Sequence, residues 1–393
     1  MYTEKMIKFI HDRRQEGLMW AEVAYEFNKE FGSDKSAEAV RNAYRAHKVS
    51  LDIGHDSVDI KLLQHNRSVR VTNTKLRKET NIALDALNIR SDITDELKAA
   101  IKTWPANITI EIDTPKKVKR GKKCVLELLI SDTHFGAQTD VFNFEVAKKR
   151  IAETRNVFIH EVNKAAATYK VDKLVIALLG DIIASFEFHG VQSAVTAEAV
   201  TPIQVVKAIE MLFFDLILPV ANLGHKIVIP AVCGNHDRTA KDKPMNVPGQ
   251  ESITWIIYKT LEILCNTSNL KNVTFEIPEC SFCAIPILGH DVLYEHGDKG
   301  MRLDRKSAES KINDRQTQMK KLFTFFRFGH FHEYVCFGRG RSISNASLMG
   351  RDGYATELGF DSDAGQVINF YLETSSRSTP FYWSYLIALD HVK

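Results

Sequence analysis

The chain has 393 residues, enough to bury a large core and to divide into more than one domain. Its 44% hydrophobic and 26% charged residues exclude a disordered or fibrous class, and the most apolar runs, around 174–179 and 211–220, are too short or too interrupted to span a bilayer. The N-terminal MYTEKMIKFIHDRR has no apolar signal-like segment, so a soluble, cytoplasmic protein with no membrane role is expected.

Residues 1–50 predict three short helices forming a small all-α domain. Met6, Ile7, Phe9 and Ile10 give the first an apolar stripe, and Gly17 ends it. Trp20, Val23, Ala24, Phe27 and Phe31 recur at helical spacing in the second, which Gly32 stops. Ser33 or Ser36 caps the third, with Val40, Ala43 and Tyr44 inward and Arg41, Asn42, Arg45, His47 and Lys48 outward. Three helices with a basic last one outline a helix-turn-helix reader of DNA. The run from Trp20 through Phe27 and Phe31 to Ala39–Arg45 also resembles a Myb/SANT-type module, although that family's tryptophan spacing is incomplete. A helical bundle for protein contacts is the alternative.

Residues 51–123 predict a basic connector, with a helix over 67–86 and a strand over 107–112. Through residue 123 there are 24 Lys+Arg against 18 Asp+Glu, while the remainder has 28 against 31. The surplus gathers at Lys116, Lys117, Lys119, Arg120, Lys122 and Lys123. A basic front half before a mildly acidic one suits a polyanionic partner, DNA foremost. A solvated linker explains the lysine run equally well.

Residues 124–393 alternate apolar runs with amphipathic segments, as a layered α/β domain does. Strands are expected over 125–130, 174–179, 226–232, 273–277, 282–288, 292–295, 323–328, 333–337 and 366–372, and helices over 144–169, 202–221 and 250–265. Cys280 and Cys283 form a lone C-x-x-C within a segment that reads as β. On a strand, residues three apart face opposite ways, so buried structural thiols are expected rather than a shared ligand.

Five polar clusters follow five of the apolar runs: Ser131-Asp132-Thr133-His134, Gly180-Asp181, Gly234-Asn235-His236-Asp237, His296-Gly297-Asp298 and Gly329-His330-Phe331-His332. Each alone reads as a turn or a satisfied histidine. Loops at strand ends meet along one sheet edge, where ligands bind. Together they offer two aspartates, an asparagine and four histidines, a mixed O/N set suited to Mn²⁺, Fe or Zn²⁺. Seven groups exceed one tetrahedral site and fit a pair of divalent ions better.

This order resembles the calcineurin-like metallophosphoesterase superfamily across roughly residues 124–340. The resemblance implies a four-layer αββα sandwich. It further implies that Asp132, His134 and His332 hold one ion, that Asn235, His296 and His330 hold the other, and that Asp181 bridges them. On the same resemblance, a hydroxide held between the ions would attack phosphorus in line, with His236 as general acid or charge stabiliser oriented by Asp237. One departure is visible: where the family often places a further Asp, Asn or His, this chain has Ala184, so that group is either absent or supplied by Glu187 or His189. His189, Lys299 and Arg302 are candidate substrate contacts, surface salt bridges being an equal explanation for the two cations.

The superfamily spans phosphatases, nucleotidases, cyclic-nucleotide phosphodiesterases and nucleases. The Asn-His-Asp and Gly-His-x-His blocks resemble those of SbcD-type DNA exonucleases, and a helical N-terminus before such a domain resembles phosphoesterases encoded by bacteriophages. A DNA nuclease, exonuclease-like, is therefore expected with Mn²⁺ as its metal. The competing expectation is a small-molecule phosphatase or nucleotide phosphodiesterase whose front half serves association, as a homodimer or with a partner subunit.

Overall fold

The computed structural model describes residues 2–47, 74, 88–105, 121–184, 197–239, 247–350, 363–374 and 379–393. The chain divides into two units, residues 1–84 and 85–393.

In the first unit, Thr3 caps α1 (Glu4–Gln15) by accepting from the Met6 N–H, and Gly32, at φ 58°, ends α2 (Trp20–Phe31) in the left-handed conformation. Ser36 accepts from the Ala39 N–H at 3.2 Å and starts α3 (Ala37–His47). Ile7, Ile10, Val23, Ala24, Phe27, Val40 and Tyr44 bury one shared face. Thr74 is helical; the rest of the helix expected over 67–86, and the strand expected over 107–112, lie outside the described residues.

The second unit takes in residues from 85 onward, including part of the stretch expected as connector. Residues 88–103 are helical, Ile93 enters the core, and the Trp104 indole N–H donates to Glu210 at 3.2 Å.

Two sheets form the body of this unit. The first runs β11 (Phe381–Ala388), β10 (Gly365–Leu372), β1 (Lys123–Ile130), β2 (Lys170–Leu178), β3 (Ile227–Pro230), β4 (Val273–Glu276). Its β1 to β4 are parallel, whereas β10 and β11 pair antiparallel. The second runs β5 (Phe282–Ile287), β6 (His290–Glu295), β7 (Phe325–Phe328), β9 (Ser342–Ser344), β8 (Val335–Phe337).

The period-two alternation of β1 shows why the layers form. Cys124, Leu126, Leu128 and Ile130 face outward, under α4 (Phe144–Thr168), α5 (Thr201–Glu210) and α6 (Ile253–Thr267). Val125 and Leu129 face inward, where they meet Ile285, Val292, Tyr294, Phe325 and Ile343 from the second sheet. On the far side of that sheet, Leu293, Phe326 and Phe328 pack against Ala308 and Ile312 of α7 (Arg305–Met319). The result is a four-layer αββα sandwich.

Two of the expected helices and the expected cysteine pair differ in the structure. The helix expected over 202–221 continues from α5 through a π-helical stretch, Met211–Ile217, into Leu218–Ala221. The helix expected over 250–265 splits at Ser252, whose extended backbone and side-chain cap start α6 anew. Cys280 precedes β5 rather than lying on it, and both Cys280 and Cys283 are half-buried rather than fully enclosed.

Candidate metal centre

The five clusters sit on the loops leaving β1, β2, β3, β6 and β7, all at C-terminal strand ends. Burial there is deep: Asp132, His134, Asp181 and His296 are all buried. Five of the seven candidate ligands adopt positive φ, namely Asp132 (49°), His134 (42°), Asp181 (50°), His330 (74°) and His332 (58°). Each such residue costs about 1–3 kcal/mol, a strain that persists where the surroundings fix it and that concentrates at functional sites. The fixing contacts are local. Asp132 N–H donates to Gly180 O and His134 N–H to Asp181 O, each at 3.1 Å, while the His330 N–H reaches the Asp132 carboxylate at 3.0 Å.

Two glycines make room for these turns. A Cβ on Gly234 would run into Asp181 Oδ1, and one on Gly329 would press on Asp132 Oδ2.

Ligand atoms of Asp132, His134 and His332 lie within 4.8 Å of one another, as do those of Asp181, His296 and His330. Asp181 also groups with His134 and His236 at that distance, so one carboxylate borders both sides. Asn235 Oδ1 stands 3.1 Å from His296 Nε2, completing the second side. His134 Nε2 and His332 Nε2 face each other at 3.2 Å. Two neutral imidazole lone pairs aimed at one point repel unless a cation or a proton sits between them, so the donor set fits divalent ions. His296 Nδ1–H donates to Leu179 O at 2.8 Å, which fixes Nε2 as its ligand nitrogen.

Without ions, the site divides charge among its own groups. Burial alone would raise the Asp132 carboxyl, but the hydrogen bond and charge of His332 hold it at about 2. Burial would lower the His296 imidazole, but the charge and hydrogen bond of Asp181 outweigh it and raise His296 well above the usual range; Asp181 is held correspondingly low. Burial and the neighbouring His236 push His134 down to about 3. An ion bound on the second side would have to displace a proton from His296, so its uptake would strengthen as pH rises.

The Asp237 carboxylate, expected to orient His236, meets backbone groups. Its Oδ2 accepts the backbone N–H groups of Asp181 (3.1 Å) and Gly234 (2.5 Å), tying the β2 and β3 loops together. The His236 ring instead sets Nδ1 3.1 Å from the Ala184 carbonyl. Thus the position where the family pattern breaks contributes through its backbone, which needs no side chain. With Nδ1–H given to Ala184, Nε2 lies on the other side of the ring.

Burial and the Asp181 charge raise Asp237 from 3.8 to about 7. The folded chain then keeps a proton that the unfolded chain releases above about pH 4, and this stabilisation is lost as pH climbs to about 7. Asp181 works in the opposite window: its contribution is present above about pH 4 and is lost as pH falls from there toward its own low value. In chelator, the urea midpoint of the wild type relative to Asp237→Asn should fall between pH 5 and pH 8; a parallel fall in both proteins counts against this protonation.

Other expected residues are placed as follows. Lys299 and Arg302 are exposed on the segment after β6. Arg41 and Arg45 are exposed on α3. His189, Glu187, Lys48, Lys116, Lys117, Lys119 and Arg120 lie outside the described residues. Sequence reasoning missed Arg238, which directly follows the Gly-Asn-His-Asp block and pairs with Asp298 at 3.2 Å.

Among solved structures, an archaeal phosphodiesterase is similar at 12% identity and TM-score 0.31, over 67% of this chain and 99% of that one. Zinc-complexed Vps29 from Entamoeba histolytica is similar at 12% and 0.28, over 67% and 99%. A conserved Streptococcus pneumoniae protein described as a predicted phosphoesterase is similar at 12% and 0.27, over 67% and 98%. No family model matches the chain, and no curated protein matches it significantly. At such distances the functional reading rests on the site's own geometry. Among the described residues, no helix is long and apolar enough to cross a membrane.

Proposed function

We propose that this chain is a dinuclear metal-dependent phosphoesterase that hydrolyses phosphodiester bonds, with DNA as its substrate and Mn²⁺ as its metal. The observation that carries the reading is the meeting of two buried donor groups at Asp181. Asp132, His134 and His332 would hold one ion, Asn235, His296 and His330 the other, with Asp181 between them. Bound divalent ions supply Lewis acidity, lowering the pKa of water and neutralising phosphoryl charge.

The chain's own groups do the rest. Ala184 fixes the His236 ring so that Nε2, when protonated, gives its proton to the leaving oxygen as the P–O bond breaks. Asp237 acts on the frame, holding the Gly234 and Asp181 backbones that carry the ligands. DNA as substrate is supported by exposed Arg41 and Arg45 on a capped third helix, and by the lysine run of the front half.

The test is nucleotide release from end-labelled DNA with Mn²⁺, Mg²⁺ or chelator, beside an aryl phosphodiester. Cleavage of the aryl ester alone would replace the nuclease with a small-molecule phosphodiesterase; cleavage of neither sinks the hydrolase. His236→Ala should lower turnover by about 10²–10⁴-fold, the usual worth of a positioned acid–base group. Metal content by emission spectroscopy should stay near two per chain, and its loss would make His236 a ligand. The double change Arg41→Ala, Arg45→Ala should weaken DNA binding and reduce the slope of log affinity against log salt by about two, about one for each phosphate contact. An unchanged slope makes the helical unit a protein-contact module.

A further inference from the structure

We propose that Arg238 is the side chain that grips the phosphoryl oxygens of the substrate, and that Asp298 is the positioning residue that holds it there. This assignment rests on the phosphoesterase reading and adds a protein cation to the ions. Arg238 lies on the loop after β3, just beyond Asn235 and His236, and Asp298 lies on the loop after β6, two residues beyond His296. Their contact, Nη2 to Oδ2 at 3.2 Å, joins the two loops that carry the second ion's expected ligands. One of these loops carries Asn235 and the other begins at His296, and those two side chains meet at 3.1 Å, which puts the pair on that side of the site.

The asymmetry of the pair is what separates it from an ordinary surface bridge. The Asp298 side chain is 7% exposed, whereas that of Arg238 is 42% exposed. Two long, mobile side chains in water gain little by pairing. Here a nearly buried carboxylate pins one edge of a guanidinium whose remainder faces outward. Among the described residues, Nε and Nη1 of Arg238 make no hydrogen bond, so one donor edge is available. That planar fork matches two non-bridging oxygens of a phosphate, which a point-charge ammonium does not.

The other nearby cations lack such an anchor. On the segment after Asp298, Lys299 is fixed through its carbonyl, which accepts from Lys311, and Arg302 through its backbone N–H, which donates to Ser307. Those contacts hold the backbone and leave the cationic ends exposed.

Binding of inorganic phosphate to the metal-loaded full chain, followed by calorimetry, tests the proposal without relying on turnover. Arg238→Ala should raise the phosphate Kd at least about tenfold, with metal content unchanged, because hydrogen bonds to charged groups are worth at least that factor. Arg238→Lys should recover only part of the loss, since it restores charge without the fork. Asp298→Asn should raise Kd by a smaller factor. With the aryl phosphodiester, Arg238→Ala should raise KM by a similar factor. An unchanged phosphate Kd in Arg238→Ala overturns the proposal, as does a wild type that binds no phosphate or an Arg238→Ala protein that has lost its metal. A wild type that binds phosphate through Arg238 yet hydrolyses no ester keeps the anion grip and removes the hydrolase reading.

Discussion

Asp181→Asn is expected to lower turnover by at least about 10³-fold, because charge stabilisation by the ions is worth several kcal/mol and each 1.36 kcal/mol is tenfold in rate. The change is nearly isosteric, so it isolates charge from shape. In the native chain, Asp181 Oδ1 accepts the His236 N–H at 2.8 Å, and the asparagine oxygen can keep that bond. What disappears is the negative charge bordered by His134 and His236 on one side and by His296 and His330 on the other. Oδ2 also stands 3.1 Å from His296 Nε2, and it is this neighbour that holds the imidazole protonated in the metal-free chain. The variant should therefore bind fewer than two ions per chain and release fewer protons when manganese is added at neutral pH. A protein that keeps both ions and most of its turnover would remove Asp181 from between the two donor groups. Loss of activity with a collapsed melting transition would instead assign Asp181 to the fold, and the circular dichroism spectrum of the chelated variant separates the two.

The site was legible because ligand chemistry and loop geometry leave a joint signature in the sequence. Asp132, Asp181 and His330 each stand at the end of an apolar run, and Gly180, Gly234 and Gly329 stand where a Cβ would strike a neighbouring loop. What escaped is instructive. The helix α7 reads RKSAESKINDRQTQM, polar on nearly every face, and only Ala308, Ile312 and Arg315 are buried. Arg315 is inside because Glu295 takes it through two hydrogen bonds, at 2.6 and 2.8 Å, a partnership between residues twenty apart that periodicity does not record. The strand β9 is three residues, Ser342–Ser344, buried by its place beside β7 rather than by its side chains. Arg238 and Ala184 escaped for a similar reason: one acts through a distant carboxylate and the other through a carbonyl. Patterns of side-chain type expose what faces a core or an ion. They are blind to backbone groups and to pairs made only by the fold.

Glu127 is such a group, and Glu127→Leu is the substitution expected to cost the most stability. It lies on β1 between Val125 and Leu129, facing the second sheet, with no exposed surface. Four residues converge on its carboxylate. Its carboxylate accepts from Arg327 Nε at 3.0 Å, from the Asn369 amide at 2.8 Å, and from the hydroxyls of Tyr371 and Tyr294. Burial beside this carboxylate pushes both tyrosine hydroxyls well above the usual phenol range, so they remain donors. Removing the carboxylate leaves Arg327, itself fully buried, as an uncompensated charge in the core, which costs about 3–5 kcal/mol. At about 2–4 °C for each kcal/mol, the melting transition of the second unit should drop on the order of 10 °C. A drop of a degree or two would mean that water or a rearranged side chain satisfies the guanidinium. Removing both ions of the pair, as in Glu127→Leu with Arg327→Met, relieves the stranded charge and should restore part of the loss. It should not restore all of it, because Tyr294, Tyr371 and Asn369 would still lack their acceptor. The pair joins β1 to β7, and these strands end at Asp132 and at His330 and His332. The same double variant should consequently bind metal more weakly than its recovered stability suggests, since the polar link that ties β1 directly to β7 would be gone.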